Sequence, residues 1–86
     1  MNSNIENLKN KISYRSKYRG TKEMDIFVSS FVNSIVNKLN PSQLNDLNKI
    51  INLSDEEILE LCEGKIDSNN FNIMIISKLR EFKKNN

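Results

Sequence analysis

The chain has 86 residues, a formal net charge of +2, 37% hydrophobic residues and 28% charged residues, which suits one compact domain and leaves no room for a second. It contains no His, one Cys and two Gly, so it cannot supply a Cys/His zinc site, a disulfide framework, an imidazole-based catalytic triad or a glycine-rich phosphate loop. No apolar run approaches the roughly 20 residues that are needed to cross a bilayer, so we expect no membrane-spanning segment.

The start and stop signals along the chain are typical of helices, and no segment shows sustained period-2 alternation. Ser3 and Glu6 fit a capping box that opens a first helix at about residues 4–16. Its apolar residues lie on one stripe: Ile5, Leu8 and Ile12. Gly20 then interrupts the pattern. Because Gly tolerates positive φ and the close approach of other backbone, we expect a sharp corner at residues 18–20.

The second helix is predicted over about residues 21–38. Its apolar residues form a broad core face: Met24, Phe27, Val28, Phe31, Ile35 and Leu39. Asn40, Pro41 and Gln43 then form a cap that starts a third helix at about residues 41–52. The inward residues of that helix are Leu44, Leu47, Ile50 and Ile51.

Ser54 and Glu57 form another capping box, which begins a short fourth helix that ends at Gly64. This helix is expected to bury Ile58 and Leu61, with Cys62 as a further candidate, and its first-turn acids, Asp55 among them, are explained by the helix dipole. Ser68 or Asn69 is predicted to open the last helix. The apolar residues of that helix are Phe71, Met74, Ile75, Ile76, Leu79 and Phe82. The sequence therefore predicts an all-α fold, a compact bundle of about five short helices in one domain over residues 1–86, with its core at about 4–83.

The charges are segregated along the chain. Residues 1–22 carry a net +5, residues 23–68 a net −6 and the tail from Asn69 a net +3. A nucleic-acid binder concentrates a larger positive excess on one face, with more aromatic side chains among the bases than Tyr14 and Tyr18. Nucleic-acid binding is therefore our lowest-ranked hypothesis, and we interpret the acidic middle as a solvated helix face.

The candidates for catalysis are weak. Glu23 and Asp25 stand two apart on a helix and do not face each other, and Cys62 has no His to activate it. A structural thiol with a raised pKa is the better interpretation of Cys62. We expect no enzymatic activity.

The segment Tyr14–Asp25 contains more than local helix formation needs: two aromatic residues, four bases, a Gly and two acids around a corner. One interpretation is structural, with an Arg19–Glu23 ion pair on the surface and Gly20 as a helix break. The other is a recognition corner that presents Arg19, Gly20 and Glu23 to a partner protein, since Arg and Tyr are favoured at interfaces.

At these residues the sequence resembles the small succinate dehydrogenase assembly factors, which promote covalent attachment of FAD to the flavoprotein subunit. The family's RGxxE motif is matched by Arg19-Gly20-Thr21-Lys22-Glu23, within the longer similar string YRSKYRGTKEMDIFVSSF, Tyr14 to Phe31. Leu53-Ser54-Asp55 through Leu61 is similar to the family's short D-x-D/E-L helix, and the resemblance covers about residues 10–82. Lys17 and Leu61 stand where the family commonly has aromatic residues.

The resemblance implies a helical bundle whose corner binds the flavoprotein. Gly20 would let the partner approach, Arg19 and Glu23 would make polar contacts near its flavin-linking His, and Asp25 would be a supporting acid. Tyr14, Arg15 and Tyr18 belong to the same expected partner-binding surface.

The partner implied by the resemblance is the succinate dehydrogenase flavoprotein subunit, with the fumarate reductase flavoprotein as a further candidate client. We expect a monomeric chaperone that acts without a metal or cofactor of its own, because no Rossmann-type loop is present to hold FAD. We expect it in a bacterial cytoplasm in preference to a mitochondrial matrix, since no import segment is recognisable. The alternative function is a helical adaptor with an unrelated partner.

Overall fold

A computed structural model describes residues 3–65 and 70–85 and confirms the all-α prediction for that part of the chain. The helices are α1 (Ser3–Ser16), α2 (Lys22–Ile35), α3 (Pro41–Ile51), α4 (Asp55–Cys62) and α5 (Ile73–Asn85), with a 3₁₀ turn, Val36–Lys38, after α2. None of these helices is both long enough and apolar enough to span a bilayer.

The two capping boxes in the middle of the chain are confirmed. The Asn40 side-chain oxygen accepts the Gln43 N–H at 2.8 Å, and the Gln43 side-chain oxygen accepts the Asn40 N–H at 2.9 Å. Ser54 and Glu57 make the same reciprocal pair at 3.1 and 3.0 Å. These contacts fix the starts of α3 and α4 through residues only three apart. The cap predicted at Ser3 depends on a side chain outside the described residues.

Gly64 ends α4, as the sequence predicts. Its φ is +75°, in the left-handed region that favours glycine. The Gly64 N–H donates to the Leu61 carbonyl at 3.3 Å and the Lys65 N–H to the Glu60 carbonyl at 2.8 Å. This pair of bonds is a Schellman motif, which satisfies carbonyls that the helix leaves without a donor.

Two predicted helix limits are wrong. The second helix does not continue regularly to residue 38, because it tightens into the 3₁₀ turn before Leu39 becomes extended. The last helix is predicted to begin at Ser68 or Asn69, which lie outside the described residues, but residues 70–72 after them are not helical. It begins at Ile73, where the Asn72 side chain accepts the N–H groups of Met74 and Ile75 at 2.9 and 3.2 Å. Asn is among the strongest N-cap residues, so Asn72 sets this start.

The core lies where α1 packs against α2 and α3, and where α5 packs against α2, α3 and α4. Its buried apolar side chains are Ile12, Met24, Val28, Phe31, Val32, Ile35, Val36, Leu44, Leu47, Ile50, Ile51, Ile58, Leu61, Ile75, Ile76 and Leu79. Half-buried apolar residues, including Phe71, Phe82 and Leu39, pack around this core. The apolar stripes that the sequence predicts therefore converge on one core.

Substitution of Phe31 measures how much of the free energy of unfolding depends on this core. It is 2% exposed, and its ring centroid lies 5.7 Å from that of Phe82. We expect Phe31→Ala to lower the free energy of unfolding by about 3–5 kcal/mol, because the change leaves a cavity. Urea unfolding followed by circular dichroism measures the loss. Ile26→Ala, at a position that is 57% exposed, is the control and should change stability by about 0.5 kcal/mol or less. Equal effects at the two positions would contradict the assignment of Phe31 to the core.

Candidate functional site

The Arg19 side chain is turned into the protein, with 9% of its surface exposed. Its Nε donates to Asp55 Oδ1 at 2.8 Å, its Nη1 to the Ile51 carbonyl at 2.6 Å and its Nη2 to the Leu53 carbonyl at 2.6 Å. Ile51 is the last residue of α3, and Asp55 is the first residue of α4. A cation is favourable beside carbonyls at the end of a helix, where they lack intrahelical donors. Arg19 therefore ties the α1–α2 corner to the junction between α3 and α4.

Gly20 meets the same carboxylate. Its N–H donates to Asp55 Oδ2 at 2.8 Å, and a Cβ at this position would lie 2.7 Å from that oxygen. The sequence predicts that Gly20 allows the close approach of backbone or of a partner, and in the structure the group that approaches it is the chain's own Asp55 carboxylate. The φ of Gly20 is not positive, because Gly64 is the one described residue that has a positive φ.

Asp25 closes the corner from the other side, since its carboxylate accepts the Arg19 backbone N–H. The Thr21 hydroxyl accepts the Met24 N–H at 3.1 Å and caps α2 beside it. We call Arg19, Gly20, Asp25 and Asp55 the corner network. Each of the two carboxylates holds a backbone N–H of the corner, so the path of the chain into α2 is fixed.

Glu23 lies outside the corner network. The structural interpretation of the motif, an Arg19–Glu23 surface ion pair, is wrong, because the guanidinium pairs with Asp55. Glu23 is exposed, and its side chain makes no hydrogen bond or ion pair with any residue that the structure describes. A carboxylate in the first turn of α2 is thus available to another molecule.

The other predicted site residues are also at the surface. Tyr14 and Tyr18 are 66% and 68% exposed, and their ring centroids are 4.8 Å apart. Arg15 is exposed and donates to the side-chain oxygen of Asn52, which follows α3. Of the predicted residues, then, Arg19, Gly20 and Asp25 are brought together in one network. Tyr14, Arg15, Tyr18 and Glu23 remain accessible.

Asp55 is the residue of the site that sequence reasoning missed. The helix dipole alone explains an acidic residue in the first turn of α4, so the sequence gives no strong reason to assign Asp55 another role. Ser54 and Glu57 complete the capping box without Asp55, however, and a carboxylate that the cap does not need is one indication of such a role. The similarity of Leu53-Ser54-Asp55 to a family motif is the other.

Cys62 is half-buried, in agreement with its interpretation as a structural thiol. Burial raises the pKa of the Cys62 thiol above its ordinary value, although Lys83 and Arg80 oppose the shift. A raised pKa leaves less thiolate at neutral pH, so Cys62 is a poor nucleophile.

The coupling between Gly20 and Asp55 can be measured with a double-mutant cycle. In Gly20→Ala the Asp55 carboxylate must move away from the new methyl group and lose hydrogen bonds, so we expect a loss of about 1–2 kcal/mol in the free energy of unfolding. In an Asp55→Ala background the same change should cost no more than about 0.5 kcal/mol, because the obstructing carboxylate is gone. Urea unfolding of the four proteins gives the coupling energy, and an equal cost of Gly20→Ala in both backgrounds would refute it.

Comparison with known proteins identifies relatives of this chain. Over 56 residues it is 41% identical to succinate dehydrogenase assembly factor 2, mitochondrial, from Dictyostelium discoideum, a match that covers 65% of this chain and 40% of that protein. Over 63 residues it is 25% identical to the FAD assembly factor SdhE of Acetobacter pasteurianus, covering 73% of this chain and 58% of that protein. The matches therefore span about half the length of these relatives. No solved structure gives a significant match.

The family comparison covers the corner network and the helices that pack around it. The family model for Sdh5, the flavinator of succinate dehydrogenase, matches residues 10–83. This range contains all the predicted site residues as well as Asp55, and it confirms the resemblance that the RGxxE motif indicates. The chain belongs to the Sdh5 family, the flavinators of succinate dehydrogenase.

Proposed function

We propose that this chain binds the flavoprotein subunit of succinate dehydrogenase and promotes the covalent attachment of FAD to it. The observation that carries the proposal is the geometry of the motif of a flavinator family: Arg19 forms a partly buried ion pair with Asp55, while the exposed Glu23 has no ion-pair partner among the described residues. The names of both relatives, a succinate dehydrogenase assembly factor and a FAD assembly factor, support the same function. The family match favours it over an adaptor with an unrelated partner.

The proposed mechanism is one of binding. Flavin attachment requires the flavoprotein's own His to be held against the C8-methyl group of the flavin, and alignment of reacting groups alone accelerates such a step. A chaperone that binds the aligned conformation of the flavoprotein more tightly shifts the population towards it. The chain has no His, and its cysteine is a poor nucleophile, which supports a role without catalytic residues of its own.

We assign different roles to the two halves of the motif. Arg19 and Gly20, with Asp25 and Asp55, set the shape of the corner, and Glu23 contacts the flavoprotein. This assignment modifies the expectation that Arg19 touches the partner, because all three guanidinium nitrogens already donate within the chain.

The remaining contacts of the proposed interface come from Tyr14, Arg15 and Tyr18. Two exposed tyrosines in ring contact supply rigid apolar area with hydroxyl groups at its edge, which suits a protein interface. Arg15 adds a positive charge close to them. These residues complete a surface that carries charges of both signs.

We further propose that the chain acts as a monomer in a bacterial cytoplasm and that FAD is held by the flavoprotein and not by this chain. The fumarate reductase flavoprotein is a second proposed client. The relatives include a mitochondrial and a bacterial protein, so the compartment stays a prediction from the sequence.

Glu23→Ala tests the proposed function. Co-expressed with the cognate flavoprotein, the variant should give at least about tenfold less covalent flavin, since a lost interface hot spot costs about 2 kcal/mol or more. The measurement is flavin fluorescence of the flavoprotein band in a denaturing gel, beside samples with the wild type and with no chaperone.

Glu81→Ala is the matched control, because Glu81 is also an exposed glutamate but lies on α5, away from the corner. It should support flavinylation like the wild type. The function would be rejected if covalent flavin were equal with and without the wild-type chain. The role of Glu23 alone would be rejected if the wild type raised covalent flavin and Glu23→Ala, shown to be folded by circular dichroism, raised it equally.

A further inference from the structure

A groove of about 800 Å³ lies beside Glu23, between the first half of α2, the start of α4 and the end of α5. Phe27, Leu59 and Phe82 contribute apolar side chains to it, and all three are half-buried residues that pack on the core. The ring centroids of Phe27 and Phe82 are 6.0 Å apart. The groove thus offers an apolar surface that continues outward from the core.

Ile26 stands at the groove with 57% of its surface exposed. It follows Glu23 by three residues on α2, so the two side chains lie on the same face of the helix. An aliphatic side chain in this position loses water contact only when another molecule covers it. Ile26 therefore extends the surface displayed by Glu23 towards the apolar groove.

More acidic than basic side chains line the groove. Glu23 and Glu56 line it near the starts of α2 and α4, are exposed, and have no ion-pair partner in residues 3–65 or 70–85. Asp55, which also lines the groove, is already paired with Arg19. Lys83 supplies a positive charge from α5. The two free glutamates make this end of the groove suited to a cation.

The apolar lining and the two glutamates together restrict the kind of ligand that the groove can bind. A phosphate-bearing ligand such as a dinucleotide would meet the two glutamates with like charge, which is unfavourable. An apolar side chain beside a Lys or Arg fits both features, since the apolar group covers Phe27, Leu59 and Ile26 while the base pairs with the glutamates. The volume lies in the range of pockets that accept drug-sized groups, enough for about two or three side chains of a peptide segment.

We propose that this groove binds a segment of the flavoprotein in which one or more apolar side chains stand next to a Lys or Arg. The inference rests on the proposed function and adds to it a second contact region, centred on Ile26 and Glu56. Neither residue belongs to the RGxxE motif. Glu23 forms the boundary between the corner and the groove, so a single segment of the partner can contact both.

The test measures the dissociation constant between purified chain and purified flavoprotein that lacks covalent flavin, by calorimetric titration. Ile26→Asn is compared with Ile73→Asn, because Ile73 is 68% exposed but does not line the groove. We expect at least tenfold weaker binding for Ile26→Asn and less than twofold change for Ile73→Asn. Circular dichroism confirms that both variants remain folded.

The charge contribution is tested with Glu56→Gln against Glu81→Gln. Glu56→Gln should weaken binding at least threefold at low salt, and this difference from the wild type should diminish as salt rises. Glu81→Gln should bind like the wild type at every salt concentration.

The outcomes separate the groove from the proposed function. The groove is rejected, with the function intact, if Ile26→Asn and Glu56→Gln bind like the wild type while Glu23→Ala loses flavinylation. If the wild type neither binds the flavoprotein nor raises its covalent flavin, both proposals fail. Sedimentation that finds a dimer abolished by Ile26→Asn would assign the groove to a second copy of this chain and overturn the inference.

Discussion

The guanidinium of Arg19 joins segments that are far apart in the sequence: the α1–α2 corner, the end of α3 and the start of α4. A largely buried cation is tolerable only when its N–H groups are paired, and here one carboxylate and two carbonyls satisfy them. Movement of any of these segments would leave a polar group without its partner. The position of the corner, and with it the direction of Glu23, depends on this set of bonds.

The small size of the protein explains why such a constraint matters. Its helices have 8 to 14 residues, lengths that are marginal for an isolated helix in water. They depend on caps at their ends and on packing against one core. The corner network at the edge of that core fixes the orientation of the segments it joins, because hydrogen bonds are directional while apolar packing is less so.

The RGxxE motif therefore combines two physical tasks in five residues. Its first two residues work inside the fold, where Arg19 and Gly20 both contact Asp55, and its last residue faces outward. Under the proposed function, a partner that contacts Glu23 meets a surface whose geometry is set before binding, which reduces the entropy lost on association. The groove beside Glu23 extends this surface with apolar area, so charge and hydrophobic contact are available side by side.

Local sequence determined the helices, their caps and the apolar stripes, because these features depend on residues within about four positions of one another. It misplaced the start of α5 because Ser68, Asn69 and Asn72 are all acceptable caps. Its motif also predicts the segment of the candidate site. Only the tertiary structure decided that Arg19 pairs with Asp55, 36 residues away, and not with Glu23, four residues away. Spacing along a helix permits the nearer pair, but the packing of α3 and α4 against the corner brings the farther carboxylate and the carbonyls of Ile51 and Leu53 to the guanidinium together.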